Sequence, residues 1–258
     1  MLVRTTNGAP LISVATDGET YGHHFKFGDL CLAHALEVEA PAAGFRLTNY
    51  GEYLDQNPAA VEVRLASGEA GAATSWSCIH GVGRWERDCG CHTGGEAGWH
   101  QKWRAPLRAA LNYLRDAAAR DFENLGSDLL LDPWQARNET IELILDPVRS
   151  RQAFLERQAR RSLSDREQGR ALLLLEMQRN SLLIFTSCGW FFSDISGIET
   201  IQVLQYAARL IELGEQLGSP LPVRDFLELL SAAQSNRTEL GSGADIYREF
   251  AERGSIAT

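Results

Sequence analysis

Residues 11 to 24, LISVATDGETYGHH, place two carboxylates, Asp17 and Glu19, and two histidines, His23 and His24, directly after an apolar run. Leu11 to Ala15, with Ile and Val inside it, reads as a strand buried on both faces, the kind found in parallel sheets and barrels. Catalytic groups collect where such strands end, because the rigid strand aims the side chain and the following loop shapes the pocket. If the backbone stays extended past Ala15, the period of two puts Asp17 and Glu19 on one side. One carboxylate can then act on substrate while the other orients it. The alternative is a plain Asp17-Gly18 turn, with His23 and His24 capping the next helix.

A second chemistry-bearing set lies downstream. Cys78, His80, Cys89 and Cys91, with His92 as a fifth candidate, are all zinc-ligand types, and a long Gly-rich loop gains order from a metal. The paired C-x-C and C-x-H spacing is less specific than two C-x-x-C knuckles, so free thiols are the expectation and structural zinc the alternative. His80 is also a candidate substrate contact. Trp76, Trp85, Trp99 and Trp103 put four of the six tryptophans in one short region, where flat rings either stack on sugars or pin the loop.

The string Asp17-Gly-Glu19-Thr-Tyr21-Gly22-His23-His24 resembles a region of glycoside hydrolase family 57, the retaining α-amylases, 4-α-glucanotransferases and glycogen-branching enzymes. Further pieces resemble a bacterial subgroup of that family: Leu47-Thr-Asn-Tyr-Gly-Glu52, Ser75-Trp-Ser-Cys-x-His80-Gly, Asp88-Cys-Gly-Cys91 and Thr186-Ser-Cys-Gly-Trp-Phe-Phe192. The resemblance implies an α-amylase-like (β/α) barrel acting on α-glucan polysaccharide or oligosaccharide, with Asp17 as general acid/base and no cofactor. Glu19, His23, His24 and His80 would position substrate or tune the acid, and Trp76, Trp85 and Trp190 would be stacking surfaces. Cys188 and Gly189 depart from a Ser-Asp-Trp-Pro-Phe-like stretch of the branching enzymes, which leaves Trp190 as the stacking candidate there. The family's Glu nucleophile lies on an earlier strand, so the resemblance also implies a fragment covering the second part of the catalytic module. The competing function classes are a non-catalytic glucan-binding module and a metal-dependent hydrolase using Asp17, His23 and His24.

Composition bounds these readings. A chain of 258 residues holds one large domain or two ordinary ones. A formal charge of −9 disfavours nucleic acid or an anionic membrane as partner. No stretch is apolar enough to span a bilayer. Five cysteines without regular spacing suggest a reducing compartment, hence the cytoplasm. Composition says nothing of oligomeric state.

The elements expected to position the candidates are α/β followed by all-α. Residues 1–98 read as part of a parallel (β/α) barrel with a long Trp/Cys-rich loop, and residues 99–258 as a helical bundle. Leu11–Ala15, Phe45–Thr48 and Val61–Leu65 read as strands, and Phe27–Glu39 and Tyr50–Gln56 as helices. Trp103–Arg120 is a helix, and Asp132-Pro133 opens the next with an N-cap and a first-position proline. Ser164 with Glu167, and Ser196 with Glu199, predict capping boxes. Val223–Ala233 closes the bundle, and residues 234–258, polar and weakly patterned, are expected to fray.

Overall fold

The computed structural model describes residues 11–64, 67–68 and 73–252. The chain divides into two compact units, Met1–Leu65 and Ala66–Thr258. The second is built around helix α4 (Arg104–Gly126), whose Leu107, Leu111, Leu114, Ala118 and Phe122 recur at three to four residue steps and are fully buried. That spacing makes one apolar stripe on a helix, and burying it needs neighbours on both flanks. They are α8 (Asp165–Leu183) and α11 (Val223–Ser231); α8 packs in turn on α10 (Ile198–Gln216). Between α4 and α8 run the short helices α5 (Pro133–Glu139), α6 (Ile141–Leu145) and α7 (Ser150–Gln158). The loop after α4 is held by Leu131 N–H to Gln158 O at 2.8 Å and Arg160 N–H to Leu129 O at 3.0 Å.

Helix starts follow side-chain chemistry. Asp132 accepts from Gln135 N–H at 3.0 Å ahead of Pro133 in the first helical position, and Ser164 with Glu167 forms the capping box of α8. The box expected from Ser196 and Glu199 does not form. Ser196 N–H is taken by Asp194 Oδ1 at 2.9 Å, and α10 starts from Gly197 with no side-chain cap.

The four-residue helix α9 (Cys188–Phe191) crosses α10 so closely that a Cβ on Gly189 would stand 2.6 Å from Val203 Cγ2. The approach is sealed by Thr200 Oγ1 donating to Gly189 O at 2.7 Å. Residues 234–252 are ordered, contrary to the expectation of a weakly patterned tail. Ser242 and Asp245 form a capping box for α12 (Gly243–Ile246), followed by a π-helical turn Tyr247–Ala251. Ile246, Tyr247 and Ala251 are buried in the core.

The first unit is corrected outright. Among the described residues the regular structure is helical with no β-strand, so the α/β half, the partial (β/α) barrel and the α-amylase-like architecture are all overturned. Leu11–Ala15 and Phe45–Thr48 are irregular; so is the described part of Val61–Leu65, whose Leu65 lies outside the described residues. An extended segment is a strand only when a neighbour takes its N–H and C=O groups, and these segments have no such ladder. The helices here are α1 (Gly28–His34), passing through a π-helical Ala35–Glu39 into α2 (Ala40–Ala42), and α3 (Tyr50–Gln56). Asn49 caps α3 by accepting from Glu52 N–H at 3.0 Å. Ala40 is the one buried residue among the described residues of this unit, and Val14, Phe25, Leu30, Leu54 and Val63 are exposed.

Asp194 ties the second unit's loops together. Its oxygens accept from Ser196 N–H, Ser235 Oγ at 2.8 Å, Asn236 N–H at 2.6 Å and Asn236 Nδ2 at 3.1 Å. Burial works against its charge, but these bonds overcome it and hold the carboxyl below its ordinary value.

Two predictions follow from this packing. Gly189→Ala drives a methyl into Val203 and lowers stability by about 1–3 kcal/mol; adding Val203→Ala restores part of the loss, as read from denaturant midpoints of the single and double variants. Because the folded carboxyl of Asp194 is more acidic than an unfolded one, at about 3.9, its contribution is complete above that value and fades as pH falls through the folded one. Asp194→Asn thus lowers Tm at pH 7, and thermal melts between pH 7 and 3 will show the gap from wild type shrinking with acid.

Candidate functional site

In the first unit Asp17 opens a 3-10 turn, Gly18–Thr20, with Thr20 N–H donating to its carbonyl at 3.1 Å. The chain then curls back: His24 N–H reaches Glu19 O at 2.9 Å and Gly22, at φ 103°, donates to Phe25 O at 3.1 Å. The His23 and His24 rings meet edge-on at 4.9 Å, and Thr16 Oγ1 bonds the Tyr21 hydroxyl at 2.8 Å. Phe27 holds a left-handed φ of 63°, which a side chain larger than glycine adopts only under strain. Asp17, Glu19, His23 and His24 are therefore on one compact turn, and all four side chains are exposed. The turn and the carboxylate cluster are the same object.

The aromatic candidates of the second unit separate by burial. Trp76 is 86% exposed, a flat ring open to solvent. Trp85 is half-buried, with its indole N–H on Ser187 O at 2.9 Å. Trp190 is fully buried in the core, donates to Arg104 O at 3.3 Å and stacks on Phe185. Its faces are packed by protein, not presented to a ligand. Two hollows of this unit, of about 600 and 500 Å³, lie against α11 and α12 and against α8, and none of the candidate residues lines either.

His80 belongs with the cysteines. Cys78 Sγ lies 3.9 Å from His80 Nδ1, from Cys89 Sγ and from Cys91 Sγ, and Cys91 Sγ is 3.5 Å from His80 Nδ1. Among the described residues this is the one group of His, Cys, Asp or Glu whose donor atoms converge, all within 4.8 Å; Asp17, His23 and His24 form no such group. His92 is turned away, its Nδ1 on Gly94 O at 3.0 Å.

Local backbone makes the convergence possible. Gly81 has φ 68° and passes so close to Ala73 that a Cβ would stand 2.4 Å from its carbonyl oxygen. A 3-10 turn, Gly83–Trp85, follows, and Gly90 between the two cysteines is also left-handed. Burial raises the Cys78 thiol, yet the backbone N–H groups of His80 and Arg84 and the side chains of His80 and Cys89 bring it down to about 7. Burial and the neighbouring thiols of Cys78 and Cys89 push Cys91 up.

Residues absent from the sequence reading complete the picture. Arg104 is fully buried; its Nη1 donates to Cys91 O at 2.7 Å and its Nη2 to Phe192 O at 3.3 Å. Arg84 donates to Thr93 Oγ1 and Phe191 O, both at 3.2 Å, and its guanidinium lies 4.2 Å from the centre of the Phe191 ring. Burial draws the Arg104 guanidinium below its ordinary value, while Cys89, Asp88 and Cys91 oppose that. Nothing in sequence spacing signals these bonds, since Arg84 and Phe191 are 107 residues apart.

No helix among the described residues is long and apolar enough to cross a membrane. No curated protein and no solved structure matches the chain. Residues 99–258 match the family described as Domain of unknown function (DUF3536), domains of which occur in the C-terminal region of family 57-type proteins. That span is more than half of the sequence, and it takes in α4 to α12 and the Asp194 clamp, so the chain belongs to the DUF3536 family.

Proposed function

We propose that this protein acts on α-linked glucans as part of a retaining glycoside hydrolase or glucanotransferase of the family 57 type, with Asp17 as general acid/base. The observation that carries the reading is the string Asp17 to His24, held on one solvent-open turn, ahead of a DUF3536 region of the kind found beside family 57-type modules. In the retaining mechanism one carboxylate attacks the anomeric carbon while the other protonates the leaving oxygen and then activates water or an acceptor sugar. Asp17 takes the second role, and Glu19, His23 and His24 hold sugar hydroxyls or tune its acidity. The nucleophile is assigned to no residue between 11 and 252. The five unpaired cysteines suit a reducing compartment, and we place the protein in the cytoplasm.

A second reading, a glucan-binding module without turnover, is favoured by one observation: Trp76 offers an exposed ring of the sort that stacks on sugar faces.

Chain release or rearrangement on amylose and on glycogen, followed in a full-length relative that also supplies the nucleophile, tests the catalytic reading. Turnover that falls about a hundredfold or more in Asp17→Asn, at unchanged Tm, is the expected result. Wild-type turnover in that variant overturns the assignment of Asp17. Retention on a glucan affinity gel without turnover, weakened by Trp76→Ala, replaces the enzyme with the binding module.

A further inference from the structure

Residues 73–103 contain little regular structure beyond one 3-10 turn, yet they bring two short knuckles, Cys78-x-His80 and Cys89-x-Cys91, face to face. Four of the six separations between the donors fall near those a zinc ion imposes, and all six lie within 4.8 Å. Zn–S bonds of about 2.3 Å and Zn–N bonds of about 2.0–2.1 Å in a tetrahedron place sulfurs about 3.8 Å apart and a sulfur about 3.6 Å from a nitrogen. The observed separations are 3.9 Å for Cys78 Sγ to both Cys89 Sγ and Cys91 Sγ, and 3.9 and 3.5 Å from His80 Nδ1 to Cys78 Sγ and Cys91 Sγ. A disulfide would draw two of the sulfurs to about 2.0 Å, and all three cysteines are free.

A second observation concerns charge. The Arg104 guanidinium is fully buried, its Nε has no hydrogen-bond partner, and it reaches the knuckle through Cys91 O. A buried cation of this kind needs compensating negative charge close by. Three thiolates and one divalent cation sum to a single negative charge, and they would sit beside that guanidinium.

We propose that Cys78, His80, Cys89 and Cys91 form a closed, four-coordinate structural zinc site that fixes the 73–103 segment on the helical unit. Three thiolates and an imidazole in a tetrahedron select zinc over the hard, oxygen-seeking cations. Four protein ligands leave no open position for a water or substrate, so the centre supports the fold and takes no part in turnover. Zinc binding displaces the thiol protons to solvent and involves no change of oxidation state. The site stands independently of the glucan reading, because its ligands include neither Asp17 nor Glu19.

The test is metal analysis of the full chain, purified without chelator from zinc-replete cells. About one equivalent of zinc is expected, falling below about 0.2 in Cys89→Ser/Cys91→Ser and staying near one in Cys31→Ser/Cys188→Ser. Chelation of the wild type should lower Tm, with recovery on adding zinc but not magnesium. Cobalt(II) loaded in place of zinc should give the intense visible absorption of tetrahedral thiolate coordination, a readout that does not require the variants to fold. Less than about 0.2 equivalents in the wild type with no rise in Tm on adding zinc overturns the proposal. So do a full equivalent in the Cys89/Cys91 variant, iron in place of zinc, and a weak octahedral cobalt spectrum.

Discussion

Two guanidinium groups buried beside one another organise the second unit. Taking an ion out of water costs several kcal/mol even after the protein relaxes, so Arg84 and Arg104 need acceptors, and the chain supplies four while leaving each Nε without a partner. The four come from two distant segments at once. Cys91 O and Thr93 Oγ1 come from the cysteine-rich segment, and Phe191 O and Phe192 O from the C-terminal end of α9. Removing either segment would strand a charge in the core. The irregular segment and the helices are therefore one energetic object, although their sequences look unrelated.

The helices of the second unit were legible because their signals are local. Asp132 with Pro133, and Ser164 with Glu167, specify helix starts within four residues, and the Leu107–Phe122 stripe specifies its own buried face. Local signals also misled. Ser196-x-x-Glu199 has the spacing of a capping box, but a buried carboxylate two residues earlier claims the Ser196 N–H first. Ser242-x-x-Asp245 has the same form and does cap a helix; it was available in a stretch read as unpatterned. What separates the two cases is tertiary. Asp194 gains its low-lying charge from Ser235 and Asn236, partners that no spacing rule connects to it.

The first unit failed differently. Short runs such as Leu11–Ala15 fit a buried strand or an irregular apolar segment equally well, and periodicity alone does not separate them. The Ile and Val in the run supplied the strand reading, the resemblance to a barrel family extended it to a barrel, and the described residues supply no partner strand. Of the candidate site, the clustering of Asp17, Glu19, His23 and His24 was legible because all four fall on one turn. The burial of Trp190 was not, since three consecutive aromatics look alike until Phe185 and Arg104 are placed around one of them.

The pairing of α4 with α11 has a consequence in the order of folding. Tyr113 on α4 bonds Asp225 on α11 at 2.9 Å across 112 residues of chain. At synthesis rates of about 5–20 residues per second, on the order of ten seconds separate the emergence of the two helices from the ribosome. For that interval the Leu107, Leu111, Leu114 and Phe122 stripe lacks one of its two flanks. A nascent chain with such a face exposed is a client for holdase chaperones. Lesions in α11 would then surface first as aggregation during expression, before any change in the mature protein.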